Sequence, residues 1–178
     1  MAKKLIVAIL SIIIVLSCVS GTIAFLVDKT ESVVNEFIPT VVDVEVEEEF
    51  DGENKENIKV KNIGTASAYV RIRLVSVWYN SNNQTVAKDS WFSDTGLELG
   101  DNWFKSGDYY YYKNPVLATE LTETALFKGP IKLTTDASDN THQVLIVLAE
   151  AIQADYDGTG THPATDAWGV TVNNGTIS

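Results

Sequence analysis

Apolar and polar side chains alternate along several stretches of this chain, and this period of two constrains its fold more than any other feature of the sequence. In the run VVDVEVEEE, Val42, Val44 and Val46 would share one face of an extended strand, and acidic residues would share the other. The run AYVRIRLVSVWY sets Val70, Ile72, Leu74 and Trp78 against Tyr69, Arg71, Arg73 and Tyr79. Because an α-helix has a period of 3.6 residues, both runs predict half-buried β-strands.

Other stretches predict further strands. In IKVKN, Ile58 and Val60 share a face, and turn residues follow at 62–65, so residues 58–79 predict two strands joined by a loop. The run from Val144 to Ala149 is apolar on both faces, which favours a central strand, with a helix as the alternative. Residues 109–112 (YYYY) predict a strand that ends at a turn.

The remaining segments are less regular. Residues 80–108 are rich in Asn, Ser, Gly and Asp and predict loops with short edge strands. Residues 117–127 predict either a short helix or an ordered loop, and residues 165–168 predict one helical turn. Seven or more short strands, without internal repeats, predict an all-β fold with a single antiparallel β-sandwich.

The first 24 residues have the layout of a secretory signal peptide. Lys3 and Lys4 precede an apolar run over residues 5–19, and small side chains then lead to Ala24. That run is about 15 residues long, whereas a helix that stays in a bilayer needs about 20. We therefore predict an N-terminal signal helix (1–24) cleaved after Ala24, a single domain over residues 25–178 beginning at Phe25, and a secreted, extracellular or cell-surface protein.

Two alternatives for this segment stay open. Residues 23 and 25–27 extend the apolar run, which would favour an uncleaved anchor. Residues 15–18 (VLSC) offer a weak lipobox in which Cys18 would be acylated. Contact with a membrane is expected only through this segment.

Charge and cysteine content exclude several classes of function. The chain has 13 Lys and Arg against 24 Asp and Glu, a net charge of −11, and no basic patch, so nucleic acids and anionic membrane surfaces are not expected partners. Cys18 is the only cysteine, and cleavage after Ala24 would remove it. A mature chain without a thiol excludes cysteine nucleophiles, thiolate metal sites and redox switches.

Several short motifs, in their order along the chain, resemble the TasA/camelysin family of exported proteins. Around the predicted cleavage site, GTIAFLVD resembles the family's G-T-x-A-[FY]-F-x-D pattern, with Leu26 in place of the second aromatic residue. Residues 59–74 resemble a hairpin of that family, and residues 109–127, 149–155 and 167–169 also fit it. The resemblance implies a jelly-roll sandwich, processing by a SipW-type signal peptidase, and a place at the cell surface or in the extracellular matrix.

The resemblance also implies assembly into biofilm fibres, because some members use the new N-terminal segment of one subunit to complete a sheet of the next. Here the donor segment would be residues 25–38, directly after the predicted cleavage site. Its apolar anchors are Phe25, Val27, Val33, Val34, Phe37 and Ile38. The expected partners are further copies of this chain or related matrix subunits. Alternatively, the segment forms an intramolecular first strand in a monomeric surface protein.

Motifs for catalysis and metal binding are weak. Camelysin has been labelled a metalloendopeptidase, but this chain has no H-E-x-x-H, and His142 and His162 stand alone beside polar residues, as solvated loop histidines do. There is no G-x-S-x-G. Residues 155–158 (DYDG) match half of a calcium loop, and the acidic run 45–53 would at most bind cations weakly. We expect no enzyme, and no catalytic, cofactor-binding or metal-ligating residue.

Two other sets of side chains are candidates for binding or pairing. Glu150 interrupts an apolar run and is expected to be a buried acid, an edge residue, or the partner of Arg71 or Arg73. Ten of the 17 aromatic residues lie between Trp78 and Tyr112. Because strand residues point alternately to both faces, two of the four tyrosines at 109–112 are predicted to lie outside, where they could stack on sugar rings. The alternative is packing in the core and across strands.

Overall fold

The computed structural model describes residues 41–88, 92–136, 138–155 and 161–178. The predicted signal helix, the cleavage site at Ala24 and Phe25, Cys18 and the donor segment 25–38 lie outside these residues, as does most of the DYDG stretch. Within the described ranges, no helix is long and apolar enough to cross a membrane.

Antiparallel strands are the main regular structure of the described residues. The strands are β1 (Val44–Phe50), β2 (Asn54–Asn62), β3 (Ala68–Tyr79), β4 (Thr85–Val86), β5 (Trp103–Ser106), β6 (Tyr109–Tyr112), β7 (Ile131–Lys132), β8 (Thr135–Asp136), β9 (Thr141–Gln153), β10 (Val172–Asn173) and β11 (Thr176–Ile177). A single short helix, α1 (Pro163–Trp168), accompanies them in the part of the chain that is described.

The strands form two main sheets. The smaller has the order β1-β2-β7, and the larger has the order β5-β6-β3-β9-β8, with β4 paired to one end of β3. The longest ladder joins β3 to β9, from Ala68 opposite Gln153 to Tyr79 opposite His142. Ile58 and Val60 from the smaller sheet pack with Val70, Ile72 and Leu145 from the larger sheet in one buried core. The predicted all-β antiparallel sandwich is therefore confirmed.

The structure corrects the pairing of β2 and β3. Both predicted strands exist, but they lie in different sheets, so the hairpin implied for residues 59–74 is wrong. The crossing depends on Asn62, whose buried amide donates to the carbonyls of Ala66 (2.7 Å) and Val116 (2.9 Å) and accepts from the N–H of Gly64. A Cβ at Gly64 would overlap the carbonyl oxygen of Val41, so the close approach there requires glycine.

Residues 117–127 form the ordered loop, not the helix. The loop lies along β2, where Thr122 and Leu126 donate backbone hydrogen bonds to Val60 and Ile58. These bonds satisfy backbone groups of β2 that no described strand reaches at this point.

The C-terminal segment covers part of the outer face of the larger sheet. The helical turn predicted at 165–168 is confirmed as part of α1. A second apolar cluster forms beneath it, made of Tyr69, Tyr111, Ala164, Val170 and Ile177. Tyr69, assigned by alternation to the face opposite Val70, is therefore buried under this added layer.

Candidate functional site

Neither histidine is a solvated loop residue, which corrects the sequence prediction. His142 lies within β9 and stacks on Tyr79 with ring centroids 6.1 Å apart. His162 caps helix α1: its Nδ1 accepts from the N–H of Ala164 (3.1 Å), and its Nε2 lies 3.1 Å from the carbonyl oxygen of Ala154. A neutral ring with the proton on Nε2 makes both bonds, so this ring has a structural role.

No clustered metal ligands accompany these rings. Across the ranges that the structure describes, no three His, Cys, Asp or Glu side chains group closely enough to hold a metal ion. In the acidic run, Glu48 bonds to Lys55 and Asp51 closes a turn. Hydrogen bonds from the side chain and backbone of Asn54, and from the N–H of Glu53, lower the pKa of Asp51 to about 2.

Glu150 pairs with Arg71, one of the predicted alternatives. The two residues are opposite each other on β9 and β3, and Arg71 Nη2 lies 2.6 Å from Glu150 Oε2. The guanidinium also lies over the rings of Tyr109 and Trp168, at 3.9 and 4.7 Å. Partial burial acts to lower the pKa of Arg71, but hydrogen bonds with Glu150 and Tyr111 raise it overall.

The four consecutive tyrosines do alternate between the two faces of the sheet, but three of the four rings are buried. Tyr110 and Tyr112 lie in the core between the sheets. Tyr111, on the outer face, is buried beneath Trp168 and stacks on Phe104 with centroids 5.1 Å apart. Of the two predicted outer rings, Tyr109 alone remains partly exposed, with Arg71 against its face.

The feature that stands out is an open edge on β9. In an antiparallel sheet, successive residues direct their backbone groups alternately to the two neighbouring strands. Ala68 of β3 exchanges both backbone hydrogen bonds with Val116, on the side away from β9. The backbone N–H and C=O groups of even-numbered residues in β3 therefore point away from β9. Those of odd-numbered residues in β3 bond with their even-numbered partners in β9.

Odd-numbered residues of β9 consequently direct their N–H and C=O groups away from β3. Gln143 does so towards the β8 side, where its N–H donates to the carbonyl of Thr134 at 2.9 Å. β8 pairs with residues 141 and 142 only. From Val144 to Gln153, no strand in the described part of the chain pairs with this edge. The positions that direct backbone groups outward along it are Leu145, Val147, Ala149, Ala151 and Gln153.

The core is incomplete beside this edge. Leu145 is fully buried, whereas Val147, Ala149 and Ala151 are only partly buried although their side chains face the core. Across from them, Val44 and Val46 of β1 are likewise only partly buried. On the outer face, Ile146 and Leu148 are 37% and 47% exposed. The run that predicted a central strand therefore belongs to a strand that pairs with β3 on one side, while on the other side β8 is its only described partner, at residues 141 and 142.

The edge of β1 differs from the edge of β9. It also lacks a neighbour beyond β2 among the described strands, but Glu45, Glu47 and Glu49 lie along it, and the register shifts between Glu47 and Glu49. Acidic side chains and bulges are features by which proteins prevent edge-to-edge pairing. The open part of β9 has no bulge, and its one acidic side chain, Glu150, is paired with Arg71, so it is the less protected edge of the two.

A shorter gap lies along β3 between β6 and β4. The ladders leave residues 74–77 without a described neighbour there. Phe92 and Asp94 border the gap, which forms a cavity of about 250 Å³. Only Leu74 and Ser76 direct backbone groups into it, so it could hold little of an added strand.

One residue that the sequence analysis did not single out, Lys55, lies at one end of the open edge. It is 7% exposed, and its ammonium donates to Glu48 Oε1 (2.6 Å) and to the carbonyl oxygen of Leu145 (2.8 Å). Strict alternation along β2 would place Lys55 on the same outer face as Lys59 and Lys61, because all three positions are odd-numbered. The available signal was Asn57, a residue type that tolerates a positive φ and hence a bulge.

The donor segment's six predicted anchors and Ala24 lie outside the described residues, so their placement stays a prediction. Comparison with known proteins adds no assignment: no family model, no curated protein and no solved structure matches this chain.

Proposed function

We propose that this chain is an exported, non-enzymatic structural protein of the cell surface or a biofilm matrix, whose copies assemble by adding a strand of one subunit to the sheet of the next. The observation that supports this most directly is the β9 edge, with which no other described strand pairs from Val144 onward, beside the partly buried side chains of Val147, Ala149 and Ala151. A long edge of this kind is a template for pairing with another chain.

Strand addition would both pair the outward backbone groups of β9 and cover the partly buried side chains beside them. The backbone of an added strand would bond with outward-facing groups of Val147, Ala149 and Ala151, and its alternate side chains would cover the partly buried valines. The sequence offers such a strand in residues 25–38, with anchors from Phe25 to Ile38. Cleavage after Ala24 by a SipW-type peptidase would release this donor segment, in keeping with the resemblance to the TasA/camelysin family.

The test uses two proline variants of residues 25–178. Val147 on β9 and Val46 on β1 are both partly buried valines whose N–H groups point outward from an open edge. Proline removes an outward N–H and places its ring in the path of a new strand, without removing a ladder bond. We expect filaments of regular width from the unaltered chain and from Val46→Pro, and dispersed particles from Val147→Pro, by negative-stain electron microscopy.

Circular dichroism and thermal unfolding would establish that both variants fold. Dispersed particles of the unaltered chain at every concentration would instead favour the monomeric surface protein. Filaments from Val147→Pro but not from Val46→Pro would place the pairing edge on β1 and contradict the proposed use of β9.

A further inference from the structure

We infer that Lys55 ends the strand-addition site on β9, so that the site begins at Val147 and takes only a short strand, residues 33–38 of a second copy. This inference rests on the proposed function and specifies the partner's residues and its register. It comes from a side chain that neither the predicted motifs nor the proposed function uses.

Lys55 reaches from one sheet to the other. It belongs to β2 of the smaller sheet, and it bonds with a backbone carbonyl in β9 of the larger sheet. Its side chain is 9% exposed, and Glu48 of β1 is its counter-ion. Removing an ammonium from water is costly unless charge-assisted hydrogen bonds compensate, and here two such bonds hold it in one position.

That position blocks the first outward-facing residue of the open edge. The carbonyl of Leu145 points away from β3, in the direction from which an added strand would donate its N–H. The Lys55 ammonium already lies 2.8 Å from that oxygen. A backbone N–H of another chain would need the same place, so pairing cannot extend to Leu145 while Lys55 is bound there.

Beyond Lys55, towards Thr141, β8 prevents an added strand from pairing with β9. A cavity of about 310 Å³ lies towards the β8 end of β9, bordered by Lys55, Phe50, Leu133 and His142. Since β8 pairs with β9 at residues 141 and 142, a strand could not continue past Lys55 along this edge. The usable edge therefore runs from Val147 to the end of β9 at Gln153, seven residues or about 24 Å.

The length of the edge distinguishes between the two apolar parts of the donor segment. Residues 33–38 (VVNEFI) hold four apolar side chains in six residues, which fits within a seven-residue site. Phe25 to Val27 is only three residues long before Asp28 and Lys29. With Val33 and Phe37 facing the core, the inward residue between them is Asn35, which costs less to bury than Glu36 would in the opposite register.

Residue-resolved hydrogen exchange on the unaltered protein tests where the site ends. Filaments of residues 25–178 would be exchanged, dissolved and compared with the dispersed protein by NMR. We expect assembly to slow exchange at the amides of Val147, Ala149 and Ala151 by about 100-fold or more, and to change it less than about threefold at Leu145. Slowing at Leu145 equal to that at Val147 would overturn the inference and leave the proposed function intact.

Three variants complete the test. In Lys55→Met, which keeps the length of the apolar stem, the slowing should extend to Leu145, provided that thermal unfolding shows a folded protein; no extension would contradict the role of Lys55. Phe37→Asp should abolish filaments, whereas Phe25→Asp should retain them. The reverse result would assign the site to the other end of the donor segment, and no filaments from the unaltered chain would refute the proposed function itself.

Discussion

Arg71 and Glu150 face each other across the longest ladder of the protein, with Arg71 Nη2 2.6 Å from Glu150 Oε2 on the outer face of the sheet. The guanidinium is packed between Tyr109 and Trp168, so that it joins β3 to the layer that contains helix α1. Arg73, two residues along the same face, has a 3.5 Å contact with Asp108, lies farther from the Tyr109 ring (5.8 Å) and is much more exposed.

This difference predicts unequal costs for two matched substitutions. Arg71→Met should lower the free energy of unfolding by about 2 kcal/mol, because a packed cation–π contact and a charge-assisted pair are both lost. Arg73→Met should cost less than about 0.5 kcal/mol, as expected of an exposed ion pair. Urea denaturation followed by tryptophan fluorescence measures both. Equal losses would show that packing around Arg71 adds nothing to stability.

A second prediction concerns pH and the carboxylate of Asp94. Hydrogen bonds from Lys105, and then from the hydroxyl of Tyr110, lower the pKa of Asp94 below its usual range. A carboxyl group whose pKa is lower in the folded state contributes stability above its unfolded pKa, about 3.9, and this contribution disappears as the pH falls through the folded value. Asp94→Asn should therefore cost about 1 kcal/mol at pH 7.

The same variant should lose its disadvantage in acid. Below the folded pKa of Asp94, the unaltered protein also carries a neutral side chain there, so the two stability curves should converge as the pH drops below about 4. Urea denaturation between pH 2.5 and 7 tests this, with Asp108→Asn, at an exposed side chain, as the control. If the two proteins differed in free energy of unfolding by the same amount at every pH, the charge of Asp94 would not contribute to stability.

A third prediction follows from the crossing between the sheets. Gly64 lies so close to Val41 that an added Cβ would overlap its carbonyl oxygen, whereas Gly129 has no neighbour within 4 Å of an added Cβ. Gly64→Ala should therefore cost about 2 kcal/mol or more, and Gly129→Ala should be close to neutral. Thermal unfolding compares them directly. A neutral Gly64→Ala would mean that the chain from Val41 can move away without loss.

The strands could be predicted from the sequence because alternation is a local property. Val70 and Ile72 are buried, as their spacing predicted, and Glu150 found one of its predicted partners. Prediction failed where one residue changed the period. Asn57 has a φ of 53°, and the inserted residue turns Lys55 inward, although Lys59 and Lys61, at positions of the same parity, are less buried.

Sheet membership could not be predicted in the same way. Where β2 and β3 separate, the Asn62 amide bonds with Val116, 54 residues away. The unpaired edge of β9 could not be predicted either, because an apolar run indicates that a strand is buried but does not indicate which neighbouring strands bury it. Both features depend on contacts distant in sequence, which a local pattern does not encode.

The final prediction concerns salt, because assembly must overcome repulsion between like charges. Without residues 1–24, which contain Lys3 and Lys4 and no acid, the chain keeps 11 basic and 24 acidic side chains, a net charge of −13. The proposed contact joins backbone groups and apolar side chains, so it gains little from ion pairs. Since the screening length falls from about 30 Å at 0.01 M salt to about 10 Å at 0.1 M, salt should weaken the repulsion and spare the contact.

We therefore expect filaments of residues 25–178 to form at least about tenfold faster in 0.3 M than in 0.01 M sodium chloride, measured by light scattering at fixed protein concentration. Val147→Pro should stay dispersed at both salt concentrations, which separates strand addition from nonspecific salting out. Slower assembly at high salt would mean that attraction between opposite charges drives the contact, and would contradict an apolar, backbone-mediated interface at the edge of β9.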